Sequence, residues 1–288
     1  MPLAPLRQLR RLGAPALLAA ALALSSLVPA AAEAPQVPDA ARLSEVLRLP
    51  ELMEIMQGEG IAYGAELEAD LFPGKGGDDW LATVKRIYAP DRLMPVFEQV
   101  FAAELDGTDT AAMLAFFESG TGARAVELEI AARRALLDEG VEEAAKLQLE
   151  EMLATQSPRL LAIEEFADAG DLIESNVLGG LNANLAFYRG MIEAGGLPPG
   201  TSEAQLLADV WSQEEAIREE TREWLYSYLA LAYAPMSDAE LAAYTAFSAG
   251  PAGKALNRAL FAGFDAVFVR VSHDLGAAAA RYVAGQDI

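Results

Sequence analysis

The stretch at 236–268 constrains the fold most, because its residue pattern is that of two helices joined by a short turn. Ser237 or Asp238 can cap the first helix. The apolar residues of that helix recur at three-residue spacing, at Leu241, Tyr244 and Phe247. Pro251 follows a turn of small residues and begins the second helix, because proline is pre-set for a first helical turn. The pattern predicts a helical hairpin.

A weaker copy of this hairpin occurs earlier in the chain. From Phe116 to Phe247 the offset is 131 residues, and several residues around the two turns are identical at that offset. Among them are Ala112, Ala115, Phe116 and Gly122, which match Ala243, Ala246, Phe247 and Gly253. The offset is far longer than the period of a solenoid, so it indicates duplication of a small helical domain. We therefore expect an all-α fold, a helical bundle built from two related helical halves with tandem helical-hairpin repeats, at 39–156 and 157–288.

The rest of the chain also has helical apolar spacing. Helices are predicted at 42–56, 61–71, 92–104, 108–119, 123–155, 168–192 and 203–233. In the helix at 168–192, Gly179, Gly180 and Ala183 are small enough to let a partner helix approach closely. The charged residues of the helix at 123–155 indicate a solvated face.

Both hairpin turns carry a family resemblance. The residues concerned are Phe116, Ser119 and Gly122 in the first copy and Phe247, Pro251, Gly253 and Lys254 in the second. They resemble the Phe-Tyr-x-Ser-Pro-x-Gly-Lys/Arg signature of the bacterial family called domain of unknown function 2059. Gly120 replaces the proline in the first copy, and Gly250 replaces the serine in the second, which is the clearer match. The resemblance implies an exported, all-helical bacterial protein and no established activity.

Residues 1–34 have the features of a secretory signal peptide. Arg7, Arg10 and Arg11 give a basic start, an apolar run follows at 14–28, and alanines at 30–34 provide a small-x-small cleavage pattern. A membrane-spanning helix needs about 20 apolar residues, so this run favours a cleaved signal over a permanent anchor. The pattern predicts a periplasmic protein of a Gram-negative bacterium, exported by either the general secretory or the twin-arginine route.

Charge and cysteine content limit the classes of partner. The formal net charge of −22 predicts repulsion from nucleic-acid phosphates and from anionic lipid surfaces. The chain has no cysteine, so no disulfide contributes to its stability in an oxidising compartment. We expect a soluble acidic protein that binds no nucleic acid and keeps no stable membrane anchor after signal cleavage.

The helix predicted at 203–233 contains the most unusual polar residues. Glu214, Arg218 and Thr221 project from within its apolar face. Trp211 and Trp224 lie on the same face, and Asn184 lies on the preceding helix. One interpretation is a buried polar network that fixes the helix register. The other is a cleft that holds a polar ligand, with Arg218 on an anion.

Most catalytic chemistries lack their residues in this sequence. The single histidine, His273, cannot supply a di-iron helical bundle, and a chain without cysteine has no thiol nucleophile or Cys/His zinc site. We therefore predict no catalytic residues, no metal site and no cofactor. The favoured function is a non-catalytic interaction module for an envelope protein. A carrier of a small apolar or amphipathic ligand near Trp211, Trp224 and Tyr228 is the alternative, and a carboxylate-dependent hydrolase is the third.

Overall fold

A computed structural model describes residues 39–197 and 202–284, and all regular structure in these residues is α-helical. The helices are α1 (Asp39–Val46), α2 (Leu49–Leu71), α3 (Gly77–Ile87), α4 (Pro90–Leu105), α5 (Thr110–Phe117), α6 (Gly120–Ala135), α7 (Glu139–Ala154), α8 (Pro158–Ala169), α9 (Leu172–Glu193), α10 (Glu203–Trp211), α11 (Glu214–Tyr233), α12 (Asp238–Ser248) and α13 (Pro251–Val283). The all-α prediction is confirmed.

The predicted signal peptide at 1–34 lies outside the described residues. Within 39–197 and 202–284, no helix combines the length and the apolarity that crossing a bilayer requires.

The hairpin at 236–268 forms as its residues predict. The Ser237 hydroxyl accepts a hydrogen bond from the backbone N–H of Glu240, and the Glu240 carboxylate accepts one from the backbone N–H of Ser237. This reciprocal arrangement is a capping box, which satisfies two donors that a helix start otherwise leaves unpaired. Pro251 occupies the first turn of α13. The start of α12 and the turn before α13 are therefore confirmed.

Two of the predicted long helices are broken. The helix expected at 123–155 divides into α6 and α7, because Asp138 accepts hydrogen bonds from the N–H groups of Gly140 and Val141 and so starts a new helix. The helix expected at 203–233 divides into α10 and α11 at Ser212 and Gln213. These two predictions were wrong because the helical spacing of apolar residues continues across a short break, so the spacing alone does not reveal the break.

The helices predicted at 42–56 and 61–71 are not separated where the sequence pattern placed the break, between residues 56 and 61. The chain turns at Arg48, whose φ of 54° is in the left-handed region, and α2 then continues to Leu71. Gly60 lies inside α2 against the ring of Tyr88, where a Cβ atom would come within 2.4 Å of the ring. Glycine is therefore required here by close packing, and it does not end the helix.

α13 is the central helix, packing against α9 and α4. α9 and α13 run parallel, since Asn182 bonds Asp265 near their middle and Gly190 meets His273 further along both. The backbones of the two helices are in contact at Gly190 and Gly276. A Cβ on Gly190 would lie 2.1 Å from the His273 carbonyl oxygen, and a Cβ on Gly276 would lie 2.0 Å from that of Phe187.

The close approach of these two helices is thus made at glycines other than those expected. Gly179 faces open space, and a Cβ on Gly180 would contact only Ile217, on α11. Of these three small residues, only Gly179 lies beside open space, because Gly180 lies against α11 and Ala183 is buried. The surface of α9 around Gly179 is open.

Helices from both predicted halves share one hydrophobic core. Phe97 of α4 packs on Phe264 of α13 with ring centroids 4.6 Å apart, and it also covers Gly263. α11 contacts α6, α7 and α9. The boundary expected near residue 157 falls in the connection between α7 and α8.

Candidate functional site

The predicted ion pair of Glu214 and Arg218 forms at the start of α11. Nη2 of Arg218 donates to Oε1 of Glu214 over 2.7 Å, and the guanidinium also donates to both carboxylate oxygens of Glu174 on α9. The hydrogen bonds to Glu174 and Glu214 raise the pKa of the Arg218 guanidinium. The contact with Glu174 joins α11 to α9, and the two carboxylates already neutralise the cation that the ligand interpretation would use.

Asn184 and Thr221 lie apart from this ion pair. Asn184 is buried on α9, and its Nδ2 donates to Oε1 of Gln213 over 3.3 Å. Its Oδ1 is buried with no hydrogen-bond partner in the described part of the chain. Thr221 is partly buried one turn after Arg218. Glu214 and Arg218 are thus brought together, whereas Asn184 belongs to a separate contact.

The three aromatic residues of the predicted ligand cleft have different surroundings. Trp211 is 57% exposed at the end of α10. Trp224 stacks on Tyr228 with ring centroids 5.4 Å apart, and Tyr228 is buried. Trp224 lines a small cleft of about 70 Å³ that includes neither of the other two.

The most unusual group in the core is the carboxyl of Glu129, on α6. It is 2% exposed, and its Oε1 accepts hydrogen bonds from the hydroxyls of Tyr233 and Tyr244 over 2.6 and 2.7 Å. The hydroxyl of Tyr228 donates to the Glu129 backbone carbonyl over 3.2 Å. We call these four residues the Glu129 cluster. It joins α6 to α11 and α12, which arrive about 100 residues later in the chain.

Burial determines the protonation of this carboxyl. Removal from water raises the pKa of Glu129 to about 8, although the hydrogen bonds from Tyr233 and Tyr244 act in the opposite direction. Its Oε2 is buried and has no hydrogen-bond partner among the described residues. Glu129 is therefore a neutral acid at pH 7.

One turn along α6, Arg133 forms a second buried polar contact. Its Nε and Nη2 donate to the two carboxylate oxygens of Glu59 on α2, over 2.6 and 2.7 Å. The guanidinium also lies over the ring of Trp224, 5.4 Å from its centroid. Such a bidentate contact fixes orientation as well as charge. It joins α6 to α2.

A long groove follows the surface between the parallel helices α9 and α13. Its central hollow, of about 210 Å³, is lined by Leu178, Gly179, Ala183, Phe261 and Asp265 among others. A hollow of about 560 Å³ adjoins it near Asp168 and Lys254, and one of about 420 Å³ adjoins it near Arg189 and Arg270. Neighbouring hollows share lining residues, so they form one surface, which we call the α9–α13 groove.

The two hairpin turns place their matching residues in the same geometry. A Cβ on Gly122 would lie 2.5 Å from the carbonyl oxygen of Phe116, and one on Gly253 would lie 2.2 Å from that of Phe247. In each case a glycine lets the second helix begin directly against the end of the first. Phe116 and Phe247 also stack on each other, with centroids 5.0 Å apart and an interplanar angle of 11°.

The other residues of the signature have local roles. Ser119 precedes α6, and its hydroxyl donates to the carbonyls of Ala115 and Phe116. Pro251 begins α13, and Lys254 is exposed one turn further on. The signature residues thus form turns and helix starts.

Residues 91–150 match the model of a family described as uncharacterized protein conserved in bacteria (DUF2059). The resemblance to domain of unknown function 2059 is confirmed for this segment. The match runs from α4 into α7, so it contains the first hairpin together with Glu129 and Arg133, whereas the hairpin of α12 and α13 lies outside it. Comparison with curated proteins finds no match, and comparison with solved structures finds none.

Glu129 and Arg133 were missed from the sequence, where α6 was treated as part of a solvated charged helix. A signal for Arg133 was present, because it follows Glu129 at i+4 among the apolar residues Ala125, Val126 and Ile130. The three tyrosines were a second signal, since a buried tyrosine hydroxyl needs a hydrogen-bond partner.

Proposed function

We propose that this chain is an exported periplasmic protein that acts as a non-catalytic interaction module for a protein of the envelope. The basic start, apolar run and alanine cleavage pattern at 1–34 support export. The match of residues 91–150 to an uncharacterized bacterial family is compatible with this role and names no activity.

The observation that carries the proposal is the exposed face of α10. Trp211 is 57% exposed, and Leu207, one turn earlier on the same face, is 38% exposed. α10 is attached to the core through Leu206 and Val210 on its other side. Tryptophan is enriched among the residues that contribute most to protein–protein affinity, and here its ring is outside the core.

The charge around this face indicates the chemistry of the partner. Asp209, Glu215 and Glu219 are exposed on α10 and the first turns of α11. Together with the net charge of −22, they favour a partner surface that is apolar at its centre and basic at its edge. An envelope protein with such a surface would bury Trp211 and pair with the surrounding carboxylates.

The absence of catalysis is part of the proposal. The acid whose pKa is raised to about 8, Glu129, is enclosed by tyrosines and has no cleft beside its carboxyl through which the described structure admits a substrate. A carboxylate-dependent hydrolase would need two carboxyl groups that converge on an accessible cleft. Glu129 and Glu59 instead lie in separate contacts, one with tyrosines and one with Arg133.

The alternative function is a carrier of a small apolar or amphipathic ligand. Its support is the central hollow of the α9–α13 groove, of about 210 Å³, in which Phe261 and Phe268 offer apolar surface. This location replaces the neighbourhood of Trp224 and Tyr228, where the aromatic rings fill the space by stacking on each other.

We also propose that the fold arose by duplication of a helical hairpin. Two observations support this origin: Gly122 and Gly253 make the same close approach to the phenylalanine six residues before them, and those two phenylalanines stack. The surrounding halves have diverged, since α6 is 16 residues long and α13 is 33.

Native mass spectrometry of the protein purified gently from periplasm, with Trp211→Ala compared against Leu147→Ala, tests the function. Leu147 is 56% exposed on α7, so its truncation removes an apolar side chain of similar fractional exposure elsewhere on the surface. We expect a complex with a second, different polypeptide that Trp211→Ala loses and Leu147→Ala keeps. A bound mass of a few hundred daltons would support the carrier instead, and absence from the periplasm would contradict export.

A further inference from the structure

The centre of the α9–α13 groove is an apolar surface that nothing in the described chain covers. Leu178 is 54% exposed, and Phe261 is only partly buried against the core. Beside them, a Cβ added to Gly179 would meet no atom within 4 Å. Small residues on one helix allow another helix to approach it closely, so the centre has the shape that receives a helix from outside.

The two ends of the groove differ in charge. The end near the start of α9 has three exposed carboxylates, Glu104, Asp168 and Asp171, beside Lys254 and Arg258. Within the described residues, none of these five side chains forms an ion pair. This end therefore has one more acid than base.

The opposite end is lined by more arginines than carboxylates. Arg189 and Arg270 line it, and its carboxylate, Asp274, already pairs with Arg92 of α4. His273 lies beside them and bonds Glu193. Arg270 is exposed and has no ion pair within the described part of the chain. The groove thus runs from an acidic end to a basic end across a mostly apolar centre, which also contains Asp265, whose carboxylate accepts a hydrogen bond from Asn182.

This arrangement is complementary to itself. If a second copy is placed on the groove in the antiparallel direction, the acidic end of each copy meets the basic end of the other, and the apolar centres coincide. A chain with a net charge of −22 repels its copies over most of its surface. The groove is lined by five carboxylates and four cationic side chains, so two copies repel each other less on this face than over the rest of their acidic surface, and a two-fold axis pairs both ends at once.

We propose that two copies of this chain pack through the α9–α13 groove as an antiparallel, two-fold symmetric dimer, in which Asp168 of one copy lies near Arg270 of the other. The dimer is independent of the partner face on α10, because Trp211 is not among the residues that line the groove. It would leave that face free in both copies.

Sedimentation equilibrium of the naturally processed protein tests the dimer. The wild type is expected to be dimeric, and Gly179→Gln is expected to be monomeric without loss of thermal stability, because its new side chain enters only the space that the second copy would occupy. Gly58→Gln is the matched control, since Gly58 is an exposed glycine inside α2 where an added Cβ also meets nothing within 4 Å. It should remain dimeric.

A charge exchange tests the antiparallel direction. Arg270→Glu should weaken dimerisation at least about tenfold, and Asp168→Arg added to Arg270→Glu should restore most of it, because the pair is re-formed with its signs reversed. Either of two results would overturn the proposal: a wild type that stays monomeric at concentrations up to about 100 μM, or a Gly179→Gln variant that dimerises like the wild type. A double variant that stays as weak as Arg270→Glu would overturn the antiparallel arrangement.

Discussion

Burial of Glu129 destabilises the charged form of its carboxyl, so the free energy of unfolding depends on pH. Below pH 4.5, the ordinary pKa of the group, it is protonated in both the folded and the unfolded chain. Between pH 4.5 and about 8 the unfolded chain releases the proton while the folded chain keeps it. Glu129 therefore contributes most stability at low pH, and that contribution is lost as pH rises through this window.

We predict that Glu129→Gln removes this pH dependence. Relative to the wild type, the free energy of unfolding of the variant should rise by about 1.4 kcal/mol per pH unit between pH 5 and 8. At pH 5 the variant should be less stable by roughly 1–3 kcal/mol, because the new amide N–H₂ takes the position of the unpartnered Oε2.

Urea unfolding at pH 5, 6, 7 and 8 measures the effect of Glu129→Gln. Glu127→Gln is the control, because Glu127 is exposed on the same helix and its change should leave the slope of the wild type unaltered. Equal pH slopes for Glu129→Gln and the wild type would show that the buried carboxyl is ionised in the folded chain.

At the scale of the helical elements, the hairpin turns depend on glycines that contact backbone. We predict that Gly253→Ala lowers the free energy of unfolding by roughly 3 kcal/mol, because its Cβ would lie 2.2 Å from the Phe247 carbonyl oxygen and a backbone atom moves only with its helix. Gly122→Ala should act in the same direction, since its Cβ meets the equivalent carbonyl of Phe116 at 2.5 Å.

Chemical denaturation of both variants beside Gly58→Ala checks this prediction. Gly58 is inside α2 with free space around it, so alanine there should stabilise the chain by about 0.5–1 kcal/mol through helix propensity alone. If Gly253→Ala behaved like Gly58→Ala, the second helix of the hairpin could shift away from the first without cost.

The same elements show what the sequence can predict. Ser237 and Pro251 could be placed at helix starts from the sequence, because capping is a local interaction among residues within about four positions of one another. The break at Asp138 has a local cap too, but continuing apolar spacing across it hid the signal. Glu129 could not be placed, because its partners Tyr233 and Tyr244 reach it only when α11 and α12 pack on α6.

At the scale of the whole molecule, the sequence pattern indicates two separate halves, whereas the packing joins them in one core. The repeated hairpin predicts two related units at 39–156 and 157–288, yet the core between them is continuous. Phe97 from the first unit packs on Phe264 from the second, and Glu129 from the first is enclosed by tyrosines from the second. Without α13 and α11, the first unit would expose both Phe97 and the carboxyl of Glu129 to water.

We therefore predict that a fragment of residues 39–156 does not fold alone, whereas the whole chain unfolds in one cooperative transition. Burial of α4 against α13 and of α6 against α11 is lost in the fragment, and no disulfide compensates for it. Thermal melts followed by near- and far-ultraviolet circular dichroism measure both. The fragment should retain partial helix without a near-ultraviolet transition, because its aromatic side chains lack fixed surroundings. A sharp, native-like transition in the fragment would contradict the shared core and would instead make each half a domain of its own.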